Sequence, residues 1–434
     1  MSTAAVTEDS VAGIWSIRTR FPGVRLALVV MVGLTLLSSA VNYTSSLVFS
    51  RLLTPESFGD LTALLALAVV VAVPTGAAQT LVAARVAAHN AAGERARVQY
   101  IVRYAAVHVS LIATIVTLLY IAAIPLVEEV LSLQALGPAL ALTPLIWLAF
   151  IVPIVLGVLQ GLDRYVAFGV MSLAVALSRL LFGVPLTYVG GGAGGALAGQ
   201  AIGNAIVLVT AAFLLRQWWL HRGSGAGRAG LRRRPNLATV MASGAFVGFA
   251  VISNFDIVLA KVFLEPRAVG MYAALATIGK ILIFLPGAIA VALVPNAARA
   301  RDDRRQRSRV LRMAALAVTG TALVVAVPIA LLPKLTLRLM FGHEYESGAA
   351  GVLPMLFAGT GLALLYLLVV FSVTIEDRRW TLLLVTGVAL QVIGISLFHD
   401  SPQQIAAVQA CVVVSLLLAN ETWFHSLLRR PSRH

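Results

Sequence analysis

Twelve apolar runs, most of them about 20 residues long, follow one another along this chain with charge, proline or glycine between them. Six fall near residues 25–49, 61–84, 104–126, 138–160, 165–189 and 194–215. Six more follow near 238–260, 270–295, 311–332, 348–372, 380–398 and 403–424. The hydrocarbon core of a bilayer demands runs of that length from an α-helix that crosses it. Composition agrees: 59% of the 434 residues are apolar and 12% are charged, against about 25% charged in an ordinary soluble domain. Mean hydropathy is +0.92. These values exclude a water-soluble globule, a disordered chain and a secreted disulfide scaffold. The lone Cys411 leaves no disulfide or metal framework, and no cofactor is implied. The expected fold is an all-α polytopic membrane protein with about 12 transmembrane helices. The first run is too long, and lacks the cleavage site, for a secretory signal peptide. Ahead of it, residues 11–25 have a weakly amphipathic pattern that suits either the membrane interface or a solvated tail.

A net charge of +15 and a pI near 10.9 would point to nucleic acid in a soluble protein. The positions of the charges give a different answer. With both termini cytoplasmic, 26 of the 33 Lys and Arg residues fall in the tails and cytoplasmic loops. Arg51, Lys261, Arg267, Lys334 and Arg338 fall on the other side, and Arg179 and Lys280 fall within spans. That asymmetry is the positive-inside rule, so the basic residues set topology and meet anionic headgroups of membrane lipids; no nucleic-acid partner is expected. The Gly-, Arg- and Pro-rich stretch 216–236 reads as a basic cytoplasmic linker. It divides the chain into an N-terminal six-helix bundle, 1–215, and a C-terminal one, 237–434. The longest loop on the opposite face, 333–347, is too short for a separate domain.

The two halves repeat each other. Leu53-x-Pro55-x-x-Phe58-Gly59-x-x-x-Ala63-Leu64 aligns with Leu264-x-Pro266-x-x-Val269-Gly270-x-x-x-Ala274-Leu275 at a constant offset of 211. Asn42 pairs with Asn254, and Pro74 with Pro286, each with one residue of slip. Six spans per half is an even number, so both halves enter from the same side and the repeat is parallel. A substrate path then lies between the bundles near the midplane. Prolines at 74, 153, 185, 286, 328 and 354 suit kinked helices around such a path.

The segment Asn42…Arg51-Leu-Leu-Thr-Pro55-Glu-Ser-Phe58-Gly59 resembles the opening signature of polysaccharide-transport (Wzx-like) flippases, in the multidrug/oligosaccharidyl-lipid/polysaccharide exporter superfamily. Leu159-Gln-Gly161-Leu-Asp-Arg164-Tyr, Asn254-Phe-Asp256 with Gly270-Met-Tyr272, and Phe341-Gly342-x-Glu344-Tyr345 fit the same pattern. The resemblance implies two six-helix lobes in a V around a central cavity. It also implies movement of a polyprenyl-diphosphate-linked oligosaccharide across the bacterial cytoplasmic membrane, for cell-surface polysaccharide biosynthesis. Polysaccharide polymerases or glycosyltransferases become candidate partners.

Such a protein makes and breaks no bonds, so no catalytic residue is expected. It needs a cationic cavity for a diphosphate headgroup. Arg179, mid-span five, and Lys280, mid-span eight, lead the substrate-binding candidates, because a cation at mid-bilayer costs ~2.5–3.5 kcal/mol on insertion scales. Arginine grips phosphate bidentately and lysine offers a point charge. Asn42 lies in a polar stripe of span one with Thr35, Ser38, Ser39, Ser45 and Ser46, and Arg51 closes that helix. Asn254 and Gln79 complete the set. Asp256 is expected either to pair with Lys280 or Lys261 or to carry a coupling cation. A buried ion pair, helix packing and headgroup anchoring are the structural alternatives for these residues.

Three other readings compete. A cation-coupled small-molecule or drug antiporter of the same superfamily is expected to place acidic residues in its cavity, where this chain has Arg179 and Lys280. A major-facilitator carrier also has twelve spans, but its basic loop signature is not matched by residues 86–95. A membrane glycan polymerase or glycosyltransferase is expected to have a long outer loop with catalytic acids. Here Glu56/Asp60 and Glu128/Glu129 sit in short loops.

Overall fold

The computed structural model describes residues 22–219, 237–299, 304–374 and 379–424. Most of the interfacial segment 11–25 and of the linker 216–236 lies outside them. The described residues are helical throughout, with no strand. The first half comprises α1 (Pro22–Leu52), α2 (Pro55–Ala91), α3 (Arg95–Val130), α4 (Leu136–Gly161), α5 (Tyr165–Ser178) and α6 (Gly192–Leu214). The second comprises α7 (Leu237–Ile252), α8 (Phe255–Phe263), α9 (Pro266–Arg299), α10 (Arg304–Leu331), α11 (Pro333–Met340), α12 (Val352–Thr374), α13 (Arg379–Leu397) and α14 (Pro402–Phe424).

Among the described residues, eleven helical segments are long and apolar enough to cross a membrane, and one of these, 165–214, has 50 residues. That length is two crossings. The chain reverses at Gly190 and Gly192, whose φ of +99° and +51° only glycine adopts readily. Beyond the turn, Gly195 lies on Leu186, Gly199 on Phe182 and Gly183, and Gly203 on Ser178. Each step toward the C-terminus on one arm meets a step toward the N-terminus on the other, so the arms are antiparallel. Counting this hairpin as two crossings gives the twelve that the apolar runs predict.

The repeat extends to packing. α2 packs on α4 as α9 does on α12, and α1 on α5 as α7 does on α13. Likewise α4 packs on α6 as α12 does on α14, and α3 on α4 as α10 does on α12. Between the halves, α2 meets α7, α8 and α9. The repeated glycines face each other there. A Cβ on Gly59 would sit 3.0 Å from Val269 Cγ1, and one on Gly270 would overlap the Pro55 carbonyl.

Local chemistry explains the element starts. The Thr54 hydroxyl accepts from the Ser57 N–H at 3.3 Å, with Pro55 opening α2 and Glu56 in its first turn. Three segments differ from the sequence reading. Span seven is not one helix: it breaks at Ser253–Asn254 into α7 and α8. The stretch 333–347 is not a loop: it forms the strongly amphipathic α11, opened by Pro333, and the start of a 3₁₀ helix, His343–Gly351. Asp60 is not a loop residue: α2 begins at Pro55, and Asp60 is buried in its second turn.

Candidate functional site

Arg179 stands where α5 gives way to a π-helical turn, Arg179–Gly183, ahead of the chain reversal at Gly190 and Gly192. Wide turns of this kind re-aim side chains and recur at functional sites. The turn packs on α6. Its Gly195, Gly199 and Gly203 present a small-residue stripe that lets the two backbones touch. Beside the arginine, the Ser178 hydroxyl donates to Asn204 Oδ1 at 3.3 Å. Arg179 itself is only half-buried and makes no hydrogen bond or ion pair among the described residues.

Lys280 comes from the other half, on α9. Its ammonium donates to Asn254 Oδ1 at 3.0 Å, so the break in span seven supplies the lysine's partner. Asn254 is held in turn by its own amide, which donates to the Ala250 carbonyl at 2.9 Å and Ser253 Oγ at 3.1 Å. The Ile252 carbonyl at the break accepts from Gln391 Nε2 at 3.0 Å and from Gln409 Nε2 at 2.8 Å. The two glutamines bond each other at 2.7 Å and are fully buried. Lys280 remains half-buried. Asp256 attracts its charge and Arg179 repels it.

Asp256 is 4% exposed and accepts from the Tyr272 hydroxyl at 2.7 Å through Oδ2. Its Oδ1 has no hydrogen-bond partner among the described residues. A small cavity bordered by Ser253, Asp256, Lys280 and Gln409 adjoins it. The alternative pairing with Lys261 is not formed: Lys261 binds Asp60 of the other half at 2.6 Å instead.

The remaining candidates separate from this centre. In α1 the hydroxyls of Thr35, Ser38, Ser39, Ser45 and Ser46 each donate to the carbonyl four residues back, at 2.8–3.4 Å. Those groups are therefore satisfied within their own helix. Asn42 is half-buried on the same helix. Arg51 donates to the carbonyls of Leu339 and Met340 at the end of α11. That position suits a cation near a helix C-terminus. Gln79 is packed through its backbone and Cγ against Gly157. Among the described residues no group of His, Cys, Asp and Glu could hold a metal ion. Sequence reasoning missed three features: the glutamine clamp, the glycine stripe and the Asp60–Lys261 pair. The stripe alone carried a readable signal, the spacing Gly195-x₃-Gly199-x₃-Gly203.

Residues 27–301 match a family model described as polysaccharide biosynthesis protein. No match was found among curated proteins. Among solved structures, an inward-facing multidrug resistance MATE family transporter of the MOP superfamily superposes with a TM-score of 0.69 at 13% identity, covering 91% of this chain and 97% of that one. The outward-facing form of a multidrug resistance MATE family transporter gives 0.57 at 14% identity over 93% and 97%. A MOP superfamily transporter from Pyrococcus furiosus, described as having a binding pocket of reverse polarity that suggests a different function, gives 0.59 at 15% identity over 94% and 99%. The chain shares their fold.

Proposed function

The chain belongs to the polysaccharide biosynthesis protein family, and on that premise we propose that this MOP-superfamily membrane transporter is a flippase for a polyprenyl-diphosphate-linked oligosaccharide. The observation that carries the reading is the pair Arg179 and Lys280. Each half contributes one cation, both are half-buried, and their charges repel. Isolated cations in the membrane interior are costly. An anion seated between them removes the repulsion and the desolvation cost together. A diphosphate offers two charged groups, one for an arginine fork and one for a lysine point charge. Asn254 orients Lys280, whereas Gln79 packs on Gly157 and Asn42 lies half-buried on α1, apart from this centre. Arg51, bonded to α11 in this arrangement, is free to meet headgroup only after that contact opens. In this reading the protein lies in the bacterial cytoplasmic membrane with both termini inside, and the excess of Lys and Arg in the loops on that side supports the orientation. Polysaccharide polymerases or glycosyltransferases then act before and after it, and the protein itself forms no glycosidic bond.

The second reading, a cation-coupled drug antiporter, draws support from the MATE neighbours. It requires an acidic cavity. Here Asp256 is buried and accepts from Tyr272, while Arg179 and Lys280 are half-buried. The test is export of surface glycan in a deletion strain carrying Arg179→Gln or Lys280→Gln. Loss of export at unchanged protein abundance is expected. Full complementation by both variants refutes the cationic site, and glycosyl transfer by the purified protein moves the reading to an enzyme.

A further inference from the structure

We infer that the buried Asp60–Lys261 ion pair is the latch of a gate between the two halves, at the membrane face opposite the termini. The inference rests on the transporter reading but not on the identity of the substrate. The pair joins α2 to α8 at 2.6 Å, with the two side chains 3% and 1% exposed. Each partner is held from the N-terminal half's loop between α3 and α4. Lys261 Nζ donates to the Ser132 carbonyl at 3.4 Å, and the Gln134 N–H donates to Asp60 Oδ2 at 3.4 Å. Around it, two further polar contacts between the halves fall at the same end. The Tyr345 hydroxyl donates to the Ser50 carbonyl at 3.2 Å, and Arg51 closes on Leu339 and Met340. Between these contacts runs the seam of Gly59 against Val269 and Gly270.

The glycine seam belongs to the repeat, but the ion pair does not. The offset of 211 carries Asp60 to Met271 and Lys261 back to Ser50, neither of them charged. The fold therefore brings the helices together by symmetry, and the charge pair is added to one side of the axis. Its physics suits a contact that opens. An apolar seam of the same size exposes its whole surface to water when parted. A buried ion pair gains little net stability while closed, because desolvation offsets attraction, and both charges regain hydration on opening. The pair thus makes closure specific without making it permanent. Removing one partner is different, since the remaining charge is buried alone until the halves separate.

The test places Val269→Cys in a Cys411→Ser background. Val269 is fully buried at the seam, so a bulky maleimide reaches its thiol only when the halves part. Labelling is followed on the purified full-length protein, with size-exclusion profile as the folding control. Asp60→Asn and Lys261→Met should each raise the labelling rate about tenfold or more, by the cost of an unpaired buried charge. The double variant Asp60→Leu/Lys261→Met, with no charge left, should return toward the parent rate. Parent-like labelling in both single variants overturns the latch. So does a double variant labelled as fast as the singles, because packing rather than charge then holds the seam. If the single variants do not survive purification, Arg51→Gln decides. It should raise labelling several-fold, and an unchanged rate overturns the gate. No substrate is present, so failure of the flippase reading leaves the outcome untouched.

Discussion

Replacing Gln409 or Gln391 by leucine attacks the clamp on the break in span seven, and its size follows from the bonds. Gln409 donates to the Ile252 carbonyl and accepts from Gln391. Gln391 donates to both. Each single variant therefore loses two hydrogen bonds, worth about 0.6 to 1.7 kcal/mol each between membrane helices. The sum is roughly 1–3 kcal/mol per variant, with a central value near 2. The double variant loses three bonds rather than four, because the bond between the amides is counted in both singles. Its destabilisation should fall short of the sum by about 1 kcal/mol. For a cooperative unit of about 200 residues, 1 kcal/mol corresponds to roughly 2–4 °C. Each single variant should then melt about 4–8 °C below the parent in detergent, followed by intrinsic tryptophan fluorescence. The double should melt only modestly lower than either. Singles that melt with the parent, or a double equal to the full sum, would refute a shared clamp.

Gly199→Ala sets a methyl against the backbone of Phe182 and Gly183, which cannot move aside, and overpacking of this kind costs about 1–3 kcal/mol. A lower melting point is expected, whereas Gly33→Ala, with open space around it, should melt with the parent or slightly above. At the turn between α2 and α3, Glu94 accepts from His89 at 2.5 Å and from Arg97 at 2.7 and 2.9 Å. The His89 hydrogen bond first, and then Arg97, hold its carboxyl below the usual range. A depressed folded-state pKa contributes stability above the unfolded value, and this is lost as pH falls through the folded one. Glu94→Gln should therefore speed proteolysis of the 91–95 turn at neutral pH and make no difference once the carboxylate is protonated.

Much of this architecture was legible because lipid imposes a length and a polarity on each crossing. Twelve apolar runs gave twelve crossings, and Arg179 and Lys280 stood out because nothing in an apolar span needs a cation for packing. The break at Ser253–Asn254 carried no proline or glycine to announce it. It is stabilised by Gln391 and Gln409 from helices more than 130 residues away, a tertiary effect that local pattern cannot show. Asp60 and Lys261 read as interfacial charges because each sits near the end of an apolar run, and only the meeting of the halves buries them. Helix α11 was missed although Pro333 at its first position was a usable start signal.

The central claim is that the cations of the two halves bind a diphosphate together. Its most direct test is the affinity of the purified protein for a short-chain polyprenyl diphosphate, measured beside the matching uncharged polyprenyl alcohol. Binding of the diphosphate alone is predicted, weakened at least tenfold, or about 1.4 kcal/mol, by Arg179→Gln and by Lys280→Gln. Equal binding of the alcohol, or an affinity that neither substitution changes, would contradict it.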